Sequence, residues 1–442
     1  MTQTAAAPAP APRSAPAPAH AAQRPAWPAA VARPARKAQL PTPTLLRLVG
    51  VLTVVAALAS GFFGWLAGDR QANALGAAST STDRLLATQQ VRNDMVAADA
   101  LATNGFLVGG LEPTQSREQY ARLVDDAAQG LARLSFPSEA DTDRVARATA
   151  ALASYAGLVE QARTANRQGL PVGIAYLDQA SAQLRGTLLP ELDALVESAA
   201  DEAAADFDQV ADAPLLLLLV LLGLGVLVAV QVWDSRRTHR VFNPALTGAS
   251  VLVLVTLVAG LGLVNVDRSA KEVRAGPYRD SLAVSQAVSQ AYDAQALESL
   301  TLIKHGSGSA YEAAFVTATD EARRQLDRVS SGPGSSVGDF SHKFTLWIGL
   351  HQAIRDKDDA GDWDGAVAAS LSDATLSSRV QFAGFITAAT AQADSFRTET
   401  TDGLGSARST ANLVSWVAVV AGLAAAALAW RGLARRREEY YR

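Results

Sequence analysis

An all-α membrane protein, with four transmembrane helices and two tandem extracytoplasmic antiparallel four-helix bundles, is the fold class that the sequence predicts from three observations. Four apolar runs lack any charge and are long enough to cross a bilayer, the segments flanking them divide by charge, and the two long segments between them carry helical periodicity. Of 442 residues, 49% are hydrophobic and only 19% are charged, an excess of apolar side chains over what most soluble proteins tolerate.

The excess lies in Leu48 to Gly68, Ala213 to Trp233, Val241 to Val266 and Ser409 to Trp430. About 20 helical residues at 1.5 Å rise each cover a hydrocarbon layer of roughly 30 Å, so all four can span. The first run is expected to stay as an anchor, because a 43-residue tail precedes it and it is longer than the apolar core of a cleaved signal peptide. That tail, residues 1–43, holds 10 of the 18 prolines in an Ala-Pro alternation that buries little apolar surface. It is expected to be a disordered tether.

Basic flanks stay on the cytoplasmic side of a membrane. Residues 1–47 carry Arg13, Arg24, Arg33, Arg36, Lys37 and Arg47 with no acid. The link between the second and third spans has Arg236, Arg237 and Arg240, and the end of the chain has Arg431, Arg435, Arg436, Arg437 and Arg442. Residues 69–212, by contrast, hold 11 basic and 21 acidic side chains, and 267–408 hold 14 and 19. The expected layout is therefore a cytoplasmic tail (1–43), a first span (44–68), a first extracytoplasmic bundle (69–212) and a second span (213–233). A basic linker (234–243), a third span (244–266), a second bundle (267–408), a fourth span (409–430) and a basic tail (431–442) follow. Both termini would be cytoplasmic, in the inner cell membrane. Trp65, Trp233, Trp416 and Trp430 sit at span ends, where amphipathic rings favour the interface.

Each long segment reads as four helices. In the first, Val91, Met95, Ala98, Leu101 and Ala102 fall on one helical face, Gly109-Gly110 stops that helix, and Pro113, Pro137-Ser138 and Gly169-Leu170-Pro171 mark the next three starts. In the second, breaks are expected at His305 to Gly308, Gly332 to Ser336 and Asp358 to Gly365. Period-two β-branched clusters are missing, so no sheet is expected. The two segments also match each other in order. Ala98 to Leu101 falls on Ala294 to Leu297; Tyr155, Arg163 and Gly169 fall on Trp347, Arg355 and Gly361; Ser181 and Arg185 fall on Thr375 and Arg379. An internal duplication is the expected cause.

Chemistry for catalysis is sparse. There is no cysteine, the five histidines lack metal-ligand spacing, and Asp356 to Gly361 resembles a calcium loop only until Ala360 and Val367 fall where oxygen ligands are required. No enzyme, metal or cofactor is expected, and no nucleic-acid partner. The candidate ligand or partner residues are polar groups near helix ends: Asp99, Asn104, Arg163, Asn166, Arg167, Arg185, Arg355 and Arg379. An Arg held between helices suits a carboxylate of a ligand or partner, although pairing with a neighbouring acid is the commoner fate. Arg236, Arg237, Arg240, Arg435, Arg436 and Arg437 are the candidate cytoplasmic contacts. Small residues at four-residue spacing, Ala57 with Gly61 and Ser60 with Gly64 and Gly68, permit close packing of spans or a homodimer.

Ala98-Asp99-Ala100-Leu101-Ala102-Thr103-Asn104-Gly105-Phe106-Leu107-Val108-Gly109-Gly110 resembles the Asp-Ala-x-x-x-x-Arg-Gly-Tyr-Leu-x-Thr-Gly pattern of CHASE3-type sensor bundles, with Asn104 at the position of the Arg. The duplicated four-pass layout is similar to the GlnX-type family of actinobacterial membrane proteins, as is Asn166 to Leu177 with Ala180-Ser181 before Leu188-Leu189-Pro190. That resemblance implies a relay from an amino-acid-binding lipoprotein outside the membrane to a soluble protein kinase inside it. The resulting expectation is a membrane sensor or signal relay, in contact with membrane lipid, that responds to a solute or a solute-loaded lipoprotein. A non-sensing envelope scaffold and an accessory subunit of a transporter are the alternatives.

Overall fold

A computed structural model describes residues 42–108, 112–210, 216–238, 244–330 and 336–440, without the side chains of 42–46, 237, 238, 433 and 435–440. Outside that description lie the Pro/Ala-rich tail up to residue 41, the Gly109-Gly110 stop, the second half of the basic linker and Gly332 to Ser335. No strand occurs among the described residues. The chain runs α1 (Thr42–Leu107), α2 (Thr114–Arg133), α3 (Glu139–Arg167), α4 (Val172–Gln183), a π-helical turn (Leu184–Leu188) and α5 (Leu189–Val210). It continues as α6 (Leu217–Thr238), α7 (Pro244–Val273), a second π-helical turn (Arg274–Tyr278) and α8 (Arg279–Ile303). Then come α9 (Ser309–Leu326), α10 (Val337–Asp359), α11 (Trp363–Ser370) and α12 (Ser378–Tyr440).

Proline placement explains several of these bounds. Pro113, Pro171 and Pro244 stand at or just before helix starts, where the missing N–H is not needed. Pro190 stands two residues after the first π-helical turn and Pro277 lies inside the second, where Gly276 leaves helical geometry. A proline inside a helix frees a carbonyl one turn back, and a π turn absorbs the resulting slip. Between Pro43 and Pro113, and after Pro333, there is no proline at all. Accordingly α1 and α12 are single helices of 66 and 63 residues.

Four helices are long and apolar enough to cross a membrane, lying in α1, α6, α7 with its continuation, and α12. The chain is a multi-pass membrane protein on that composition. The small residues of the first span are used inside the molecule: a Cβ at Gly61 would meet Gly422 Cα at 2.7 Å, Gly64 faces Thr256 and Ala418, and Gly68 faces Ser415. Ser415 also donates to the Trp65 carbonyl at 3.4 Å, tying α12 to α1.

Beyond the apolar stretches, α1 to α5 enclose a core that includes Met95, Tyr155, Val159, Leu177, Leu188 and Leu192. The helices α8, α9, α10 and α12 enclose another, rich in rings: Phe315, Phe340, Phe344, Trp347, Phe382 and Phe385. The two cores are not separate. Leu302, Ile303, Ile354 and Ala366 of the second group pack into the first group's core.

The four helices expected of the second long segment become five. Among the described residues, 267–408 contain five helical runs instead of four, with α7, its π-helical turn and α8 forming one run, because α11 ends at Ser370 and α12 begins only at Ser378. Ser372 and Ser377 cause the interruption: their hydroxyls accept from the backbone N–H of Ala374 and Val380, at 3.2 and 3.3 Å. Short polar side chains that bond their own backbone compete with helix. The equivalent stretch of the first segment, from Leu177 to Arg185, remains helical.

Candidate functional site

A polar seam joins the two helix groups, and its centre is Asp99 on α1. This carboxylate is fully buried. Ser181 donates to it at 2.8 Å, Tyr155 at 3.4 Å, and Arg185 faces it at 3.2 Å. Arg185 emerges from the π-helical turn after α4, and its other terminal nitrogen pairs with Asp293 of α8 at 2.8 Å. One guanidinium therefore bridges a carboxylate in each group. Burial pushes the Asp99 carboxyl above its ordinary range, with Arg185 and Ser181 opposing. For Arg185, burial works against the cation, but Asp99 and Asp293 outweigh it and hold the proton more firmly.

Two further contacts cross the seam. Asp178 on α4 accepts from Lys304 at 3.0 Å and from the Tyr311 hydroxyl. Arg92 on α1 pairs with Asp193 of α5 at 2.5 Å and donates to Ser289 of α8. These contacts tie α1 and α4 of the first group to α8, the residue that follows it and α9 of the second, so a shift of either group must break or carry them.

Near the end of each group an arginine of the third helix reaches back to a glutamate at the start of the second. Arg163 meets Glu112 at 3.0 Å and Glu160 at 2.8 Å, with its guanidinium 4.0 Å from the Tyr120 ring centre. Arg355 meets Glu312 at 3.4 Å and Asp358 and Asp359 at 2.6 Å. Both third helices end on a left-handed glycine, Gly169 at φ +67° and Gly361 at φ +82°, a conformation that other residues adopt at a cost. The sequence match of Arg163 with Arg355 and of Gly169 with Gly361 thus corresponds to equivalent places in three dimensions.

In the second group that arginine belongs to a larger buried cluster. His351 Nδ1 lies 2.7 Å from Glu298, its Nε2 lies 3.2 Å from both oxygens of Glu312, and its ring stacks on Phe315 at 3.6 Å. Ser370 donates to Glu298 at 3.1 Å. Burial disfavours the imidazolium, but the two carboxylates outweigh it and raise the histidine pKa to about 9. His351 is a cation at neutral pH.

The predicted site residues separate into several places. Asp99 and Arg185 meet in the seam. Arg163, Asn166 and Arg167 gather at a crevice of about 40 Å³ beside Gly105 and Phe106, room for little more than a water. Asn104 is half-buried near the end of α1, and Arg355 belongs to the His351 cluster. Arg379 differs from its sequence counterpart Arg185, because the break before α12 leaves it exposed and paired with Asp373 at 3.1 Å. Arg236 is exposed at the end of α6; the side chains of Arg237, Arg435, Arg436 and Arg437, and Arg240 altogether, lie outside the described residues. Lys304 and Glu298 stand out in the sequence as polar groups at a helix end, but Asp293, Asp178 and the His351–Glu312 pair carry no local signature. Each finds its partner 39 to 133 positions away, which no spacing rule reaches.

Residues 74–208 match a family model described as an actinobacterial sensor domain. The match begins within α1, ends within α5 and takes in Asp99, Arg163 and Arg185. No curated protein and no solved structure matches the chain. A sensor domain carried on helices of membrane-crossing length makes this chain a membrane sensor protein.

Proposed function

We propose that this sensor relays the presence of an extracytoplasmic solute, or of a solute-loaded binding lipoprotein, to a separate cytoplasmic effector such as a protein kinase. The two helix groups act as a pair of tandem bundles outside the inner cell membrane, with both termini and the basic clusters inside. The observation that carries the reading is continuity: the sensor-domain match lies on a helix, α1, that enters the first span without a break, and α12 packs along it. A displacement of about 1–2 Å between packed helices is the usual size of such signals. The seam at Arg185 is the place where such a displacement would be set, since one cation holds acids of both groups. The GlnX-type resemblance supports an amino acid as the solute and a kinase as the effector.

A deletion strain complemented with the full chain or with Arg185→Leu tests the relay. Solute-dependent phosphorylation of cytoplasmic proteins is expected to disappear on deletion, return with the full chain and be blunted by the variant. Phosphorylation that responds equally well in all three strains would remove the proposal.

A further inference from the structure

Beside α1 lies an open groove of about 590 Å³, bounded by α2 and by Arg397 of α12. It lies apart from the seam. Its depth comes from Gly130, where any Cβ would collide with Val91, so α2 sits close against α1 at the floor. At that floor is Asp94, only 7% exposed. One of its oxygens accepts from Gln90 at 2.8 Å. Among the described residues the other oxygen has no partner, and no cation pairs with the carboxylate.

The rest of the lining is charged and unevenly used. Arg84 is committed to Glu202 of α5. Asp83, Asp126 and Arg397 form no ion pair among the described residues, and Arg133 only donates to Gln129. Three carboxylates therefore face two arginines at the exposed rim, while Ala87, Val91 and Leu134 supply an apolar wall. A buried carboxylate without a cation is costly unless something neutralises it. An ammonium group does so directly, and an alkyl chain fits the apolar wall.

We infer that this groove binds a small aliphatic primary ammonium compound, its charged head on Asp94 and its chain along Val91 and Leu134. The ligand would touch α1, α2 and α12 at once, and α1 and α12 are the two helices that run unbroken into the apolar spans. That consequence rests on the relay proposed above; the binding itself does not.

Proton linkage supplies a signature. Burial pushes the Asp94 carboxyl up to about 7, with Gln90 opposing and Asp126 adding to the rise. The other ionisable groups around it are Asp83 and Arg84 on its own helix, Arg133 on α2, Glu202 on α5, Tyr292 on α8 and Arg397 on α12. An ammonium ligand requires the carboxylate form, so affinity rises between about pH 6 and 8 and binding near pH 7 releases part of a proton.

Isothermal titration of the full chain in lipid nanodiscs tests the site with three four-carbon probes: the diamine putrescine, the zwitterion γ-aminobutyrate and a neutral diol. At least one amine is expected to bind with proton release and the diol is not. Binding of the diamine alone identifies a polyamine-type ligand; binding of γ-aminobutyrate as well identifies a ligand whose carboxylate reaches Arg133 and Arg397. Asp94→Asn is expected to weaken amine binding about tenfold or more, the usual effect of losing a charge-assisted contact. Asp126→Asn, at an exposed position, weakens it less, and a melting temperature of Asp94→Asn no lower than that of the native chain shows that its loss of binding is not loss of fold. Absence of binding by both amines, equal binding of the diol, or amine affinity unchanged in both variants overturns the inference. Phosphorylation in the complemented strain is read independently, so a groove that binds without signalling separates this inference from the relay.

Discussion

Arg185 and Arg379 occupy matching places in the sequence, yet the structure predicts opposite consequences for losing them. Arg185→Leu leaves Asp99 and Asp293 facing each other without their cation, and removing one partner of a buried pair costs about 3–5 kcal/mol. Arg379→Leu removes an exposed contact to Asp373 and should stay within about 0.5 kcal/mol. Unfolding of both variants in the same detergent checks the contrast; equal losses would mean that the seam does not hold the groups together. His351 makes a second residue-level prediction. Its folded-state pKa of about 9 lies above the ordinary value of 6.5. Its contribution, on the order of 3 kcal/mol from a shift of that size, is complete below pH 6.5 and lost as the pH rises through 9. The melting temperature should therefore fall between pH 7 and 10 in the native chain, and fall less in His351→Gln.

At the scale of elements, the contact of α1 with α12 is decided by glycine. Gly61 and Gly422 let the two backbones touch, and a Cβ at either would overlap the other's Cα. Gly61→Leu should destabilise the protein by about 1–3 kcal/mol, the usual range for overpacking a tight contact. Gly225 on α6 has open space around its Cβ position, so Gly225→Leu should be tolerated. Thermal aggregation midpoints of the two variants in nanodiscs measure this, and a Gly61→Leu protein as stable as the native chain would show that the close approach is dispensable. Elements were largely legible beforehand, because prolines and glycines announce them: Pro113, Pro171, Gly169 and Gly361 stand where helices begin or end. The interruption at Leu371–Ser377 was not legible. It contains no glycine or proline, and its serines act only through hydrogen bonds to their own backbone.

On the scale of the whole molecule, the orientation read from basic flanks is open to a direct test, since a chain without cysteine can be labelled at one introduced position. Gln168→Cys, at the exposed end of α3, should react with an impermeant maleimide on intact cells, and Ser235→Cys, near the end of α6, only after permeabilisation. The reverse pattern would turn the molecule over and take the relay with it. By itself the sequence determined the helical class, the apolar spans and most helix boundaries, because each of these follows from hydrophobic period, run length or a backbone-restricting residue within a few positions. The cross-group pairs Arg185–Asp293 and Asp178–Lys304, the burial of His351 between Glu298 and Glu312, and the groove around Asp94 were decided only by tertiary structure. Their partners lie on different helices, so which charges meet, and which carboxylate is left without a cation, depends on how those helices pack and not on any neighbouring residue.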